Sequence, residues 1–141
     1  MVLRDFIRTC TPRDAEKVRM AYNRLEQLAA EADSFDVARF MEADLAMHEI
    51  WFASTGKSFL WRKLSAPESS YTRFCTLDVI EGKNTQDVLQ EHREMLRMID
   101  EHTTDGIEEL MSRHLYGGVR RLRGLVYTKY ADYFVPLEDT P

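Results

Sequence analysis

An all-α fold, an antiparallel helical bundle of five to seven helices with no β-sheet, is what this sequence predicts. Three observations carry that expectation. Apolar residues recur at intervals of three and four along several separate stretches. Start and stop signals for helices divide those stretches, and almost nothing alternates apolar and polar side chains as a half-buried strand would. Four Pro and six Gly are too few for a low-complexity chain, and 141 residues that are 44% hydrophobic furnish one core. The expectation is therefore a single domain spanning residues 1–141.

A short helix over Val2–Arg8 comes first. The next start is clearer: in Thr11-Pro12-Arg13-Asp14, Thr caps, Pro occupies the first helical position and Asp completes a box-like signature. Val18, Ala21, Leu25, Leu28 and Ala29 then keep helical spacing to about Ala32, after which Asp33-Ser34 offers a break and a new cap. A second long helix over about Phe35–Ser54 carries Val37, Phe40, Met41, Leu45, Trp51 and Phe52, and stops at Gly56. A third begins at about Ser58 with Phe59, Leu60 and Leu64, and Pro67 ends or kinks it. Phe74–Asn84 shows no convincing period and reads as a loop or a frayed helix end. Thr85 then caps a helix running through Val88, Leu89, Met95, Leu96 and Ile99 to about Glu101. The last helix opens after Thr103-Thr104-Asp105 and carries Ile107, Leu110, Met111, Leu115, Val119, Leu122 and Val126, with Val135-Pro136 as its latest end. Short turns between these helices describe an antiparallel bundle.

Charge and composition exclude several classes. The net charge of -5, from 19 Lys+Arg against 24 Asp+Glu, gives no general attraction to a phosphate backbone or an anionic membrane. No window approaches the roughly 18 apolar residues of a membrane span. Arg4, Asp5 and Arg8 interrupt the N-terminal stretch where a signal peptide needs an apolar core. A cytoplasmic chain is expected. Its two cysteines, Cys10 and Cys75, have no CxxC spacing and read as free thiols.

The chemistry lies in the histidines. Three of the four fall on stripes that face a core: His48 with Asp44 one turn before it, His92 between Leu89 and Leu96, and His114 on the stripe of Ile107, Leu110 and Met111. The fourth, His102, sits at a helix end. A single histidine on an apolar face is usually a core residue donating to a carbonyl. Three together with a buried carboxylate, which demands a partner, are met at once by a divalent metal. Imidazole and carboxylate donors suit zinc first, then nickel, manganese, iron or cobalt, and not calcium. Four protein ligands in an octahedral shell leave two positions for water or for the oxygens of an organic acid. No HExxH occurs, and no Glu stands three residues before any His, so the motifs of metal-dependent catalysis are missing.

These residues also resemble a family. Glu42-Ala43-Asp44-Leu45-Ala46-Met47-His48, the turn at Gly56, Glu91-His92, and His114-Leu115 22 residues further on are similar to the FCD domain, the C-terminal effector-binding domain of FadR-subfamily GntR transcription regulators. The resemblance covers about Thr11–Tyr127. It implies that Asp44, His48, His92 and His114 each match one metal ligand and that a small organic acid, such as a sugar acid, hydroxy acid or dicarboxylate, binds beside the metal. It further implies a homodimeric, non-enzymatic regulator that touches DNA only through a winged helix-turn-helix domain, which these 141 residues do not contain. Two departures stand out: only Val2–Thr9 matches the family's long first helix, and Lys57 follows the turn glycine where the family often has Asn.

Weaker features complete the expectation. Tyr71 and Arg73 lie beyond Pro67, where an arginine fork would meet an acid's second carboxylate, and both are candidate effector contacts. Arg120, Arg121 and Arg123 splay around the last helix as solvated or interface charges. Tyr127, Tyr130, Tyr133 and Phe134 read as core or dimer surface. The same four metal ligands also fit a small metal-dependent hydrolase or isomerase. A ligand-free dimerisation bundle would keep the histidines as core residues.

Overall fold

The computed structural model describes residues 1–31, 34–82 and 84–133. Seven α-helices, and no strand among the described residues, make up the chain: α1 Val2–Thr9, α2 Pro12–Ala30, α3 Val37–Ser54, α4 Ser58–Leu64, α5 Ser70–Gly82, α6 Thr85–Asp100 and α7 Ile107–Val126. α2 packs along α3 and α6, α5 lies against α7, and α1 closes on α3.

Local chemistry explains most boundaries. At the start of α2 the Thr11 hydroxyl accepts from the Asp14 N–H at 3.2 Å, and the Asp14 carboxylate accepts from the Thr11 N–H at 3.2 Å, a full capping box. The Thr11 hydroxyl hydrogen bond, with Lys17 beside it, holds the Asp14 carboxyl down at about 2. Val18, Tyr22, Leu25 and Leu28 then form one buried stripe. α3 begins at Val37, later than the Ser34 signal implied, because Asp36 accepts from the N–H groups of both Ala38 and Arg39 and so satisfies two orphan donors. Asp33, the other expected cap, lies outside the described residues. Gly56 at φ 72° ends the α3 region as expected. α7 starts behind Gly106, at φ 78°, which supplies no capping side chain.

One expectation is overturned. Residues 74–82, expected as loop or frayed end, belong to the helix α5. Ser69 caps it, its hydroxyl accepting from the Thr72 N–H at 3.0 Å. Its period was hidden because the buried face carries a carboxylate, Asp78, while Ile80 is 50% exposed. A hydrophobicity pattern misreads a helix whose polar and apolar sides are locally exchanged. Asn84 likewise displaces Thr85 as the residue at the α6 cap position, and its amide turns away from the cap to hydrogen-bond Asp78.

The core runs from α1 to α7, which adds Ile107 and Leu110. Phe6 and Ile7 are fully buried with Val18, Leu25, Phe40, Met47, Met95 and Ile99, and each such side chain contributes about 1.5–3 kcal/mol by leaving water. Tyr127 is exposed, and the Tyr130 hydroxyl hydrogen-bonds the Glu81 carboxylate. Phe134, Val135-Pro136 and the tail Leu137–Pro141 lie outside the described residues. Both cysteines are free thiols. Among the described residues no helix is long and apolar enough to cross a membrane.

Candidate metal centre

Three helices bring the chemistry together. The four-residue spacing on α3 sets Asp44 and His48 on one face, α6 supplies His92, and α7 supplies His114. One ligand atom from each histidine lies within 4.8 Å of the others. Asp44 borders the cluster, its carboxylate oxygens 3.6 Å from His48 Nδ1 and 3.5 Å from His92 Nε2. All four residues expected to ligate a metal are therefore neighbours.

The hydrogen bonds fix which nitrogens face inward. His48 Nδ1–H donates to the Asp44 carbonyl at 2.7 Å, and His114 Nδ1–H donates to the Glu91 carboxylate at 2.9 Å. With Nδ1 of each ring engaged on its far side, the two Nε2 atoms face one another at 3.1 Å. Two lone pairs at that distance repel unless a proton or a cation lies between them. His92 Nε2 and Asp44 Oδ1 are buried and have no hydrogen-bond partner among the described residues. Burial pushes His48 below its ordinary pKa of 6.5, against the pull of Asp44, and pushes His92 well below it. Neutral imidazoles are the ligating form. By donor chemistry, orphaned atoms and protonation state, the site fits a divalent transition metal.

Aromatic rings frame the cluster. Trp61 from α4 stacks on His48, with ring planes 4° apart, and Trp51 meets its edge. Two cavities flank the histidines. One, of about 80 Å³, is bordered by Asp44, Tyr71, Cys75, Asp78, Asn84 and Arg121 among others. The other, of about 290 Å³, is bordered by His48, Trp51, Phe52, Trp61, Leu64 and Met111 among others. Tyr71, His114 and Leu115 border both and so form the partition. Burial pushes the Cys75 thiol up to about 12, leaving it unreactive at neutral pH.

The two effector candidates part company. Tyr71 borders both cavities, whereas Arg73 is exposed and borders neither. On α5 the cavity side is Tyr71, Phe74, Cys75 and Asp78, and Arg73 lies about 200° around the helix from Tyr71. The arginine at the cavity is Arg121, so the expectation that all three arginines of α7 are solvated or interface charges fails for this one. Arg121 reaches the buried Asp78 carboxylate in a fork, Nε at 3.0 Å and Nη2 at 2.7 Å, and Asn84 adds its amide. Gly118 lets this happen: a Cβ there would meet Phe74 and Asp78 below 3.0 Å. Glu91 also escaped the sequence reading as a functional residue, although it stands beside His92, because adjacent helical positions point about 100° apart. Exposed His102 sits apart, its Nδ1 3.3 Å from the Ile7 carbonyl.

An all-helical bundle with three histidines gathered in its interior defines the class. The family follows directly: the FCD domain model matches residues 1–117, and the chain belongs to the FCD family, the effector-binding domains of GntR-family transcription regulators. No curated protein and no solved structure matched the chain.

Proposed function

We propose that this domain is the ligand sensor of a FadR-subfamily GntR regulator, holding a divalent transition metal on Asp44, His48, His92 and His114 and binding a small carboxylate effector beside it. The observation that carries the reading is the pair of Nε2 atoms facing each other at 3.1 Å, each ring fixed by a hydrogen bond on its far side. The donor set favours zinc, with nickel, manganese, iron or cobalt as competitors. An ion bound there would supply positive charge to a carboxylate in a water-poor site. Glu91 orients His114 and raises its basicity, as outer carboxylates do for ligating histidines. Tyr71, bordering both cavities, is the effector contact of α5.

The role is binding without turnover. In the cytoplasm the domain works as a homodimer, and it influences DNA only through a winged-helix domain of the same regulator. Its effector need favour one conformation over the other by only about 1–3 kcal/mol. Metal analysis of purified protein, paired with melting curves before and after a chelator, tests this reading. The expected result is about one equivalent of metal per chain and a melting temperature lowered by chelation, then raised again by carboxylates that are not consumed. A metal-free preparation with a chelator-insensitive melting curve would count against it.

A further inference from the structure

The two cavities beside the histidines differ in what they tolerate, and that difference selects the effector. The smaller, about 80 Å³, has room for a few waters. Its charges are spoken for: Arg121 is engaged by Asp78, and Asp44 and Asp78 both border the space. A second carboxylate entering there meets two anions and a guanidinium already paired. The larger cavity, about 290 Å³, is bordered by Met1, Trp51, Phe52, Trp61, Leu64 and Met111 among others, and no Asp, Glu, Lys or Arg side chain borders it. A cavity of about 150 Å³ lined by aliphatic and aromatic side chains already accepts benzene. Hydroxyls or a second carboxylate buried here would find almost no partners, so polar acids are rejected by their own desolvation. Among its borders only His48, His114, Tyr71 and Trp51 carry polar side-chain atoms, and Trp51 Nε1 is itself buried, so the cavity wall is almost wholly apolar.

We propose that the effector is a monocarboxylic acid with an aromatic or branched aliphatic body: the body fills the Trp51–Trp61 cavity and the carboxylate meets the histidine centre at the His48 and His114 end of it. This rests on the metal-assisted sensor reading and narrows it, setting aside sugar acids and dicarboxylates.

The chain's two tryptophans both border this cavity, so intrinsic fluorescence reports its occupation. Zinc-loaded protein is titrated with phenylacetate, phenylacetamide, succinate and gluconate. Phenylacetate is expected to give a saturable fluorescence change with a Kd at least ten-fold lower than any of the other three. Leu64→Asp, or Leu64→Glu should the first not fold, puts a carboxylate at an exposed border position and is expected to weaken phenylacetate at least ten-fold with zinc content unchanged. Succinate or gluconate binding as tightly as phenylacetate overturns the proposal while leaving the sensor reading standing. Phenylacetamide binding equally well overturns the carboxylate anchor. Protein that holds no zinc and binds none of the four overturns both readings.

Discussion

Two buried polar clusters lie within one bundle, and they resolve the cost of burial in opposite ways. Around Asp78 the chain answers itself: Arg121 brings a two-pronged cation and Asn84 an amide, so the carboxylate of α5 is tied to α6 and α7. Around His48 the chain leaves its strongest donors facing each other. Two imidazole lone pairs meet, and Asp44 Oδ1 and His92 Nε2 stand unanswered. A cluster whose charges are paired holds helices in place, even though Asn84 Oδ1 has no hydrogen-bond partner among the described residues. An unsatisfied one is tolerated when something outside the chain completes it, so the same degree of burial reads as architecture in one place and as a binding site in the other.

The contrast breaks most sharply if a metal ligand is removed. His92→Ala should lower metal affinity by more than the roughly 10–100-fold that loss of an outer hydrogen-bond partner costs, read by competition with a chromophoric chelator. In metal-free protein its cost should be limited to the cavity left by the fully buried ring, with no charge left unpaired. Asp78→Ala should do the reverse. Arg121 loses its partner, and urea unfolding should show a loss of about 2–3 kcal/mol, below the usual figure for a buried pair because the Arg121 side chain is a quarter exposed, with metal affinity unchanged. If Asp78→Ala abolished metal binding while stability held, the distinction between the clusters would collapse.

Smaller effects sharpen the picture. Glu91→Gln keeps an acceptor for His114 Nδ1–H but removes its charge, and should weaken metal about ten-fold without moving the urea midpoint of metal-free protein. Acid should act on the histidine cluster in particular. His48 and His92 have folded pKa values below the ordinary 6.5, so the unfolded chain binds more protons than the folded one once pH falls through that value. Metal-free protein should therefore be most stable above about pH 6.5 and lose stability as pH drops, a slope that shrinks in His92→Ala. Thr11→Ala, remote from both clusters, should cost about 1 kcal/mol through the lost cap and leave metal and pH behaviour alone.

Much of this was legible in the chain. Thr11 and Asp14 cap α2 by contacts spanning three residues, and Val18, Tyr22, Leu25 and Leu28 bury one stripe, so local spacing alone reveals them. Asp44 and His48 share a turn, and the apolar settings of His92 and His114 identify their helices' inner faces. Arg73 and Arg121 were not distinguishable in the same way. Which arginine enters a cavity depends on how α5 is rotated against α7, and that rotation is set by a glycine, Gly118, whose missing side chain admits Phe74 and Asp78. α5 itself was hidden because its buried face carries an acid whose partner is 43 residues away.

The sequence by itself determined the helical class, most helix boundaries and the identity of the donors, because caps, periods and one-turn spacings act within a few residues of the chain. Tertiary structure alone decided what those donors become: which ring nitrogen each hydrogen bond engages, which carboxylate is paired internally, and that His114, with Tyr71 and Leu115, stands between a charged cavity and an apolar one. Those outcomes depend on helices that meet across dozens of residues, where packing geometry, not local propensity, sets the distances.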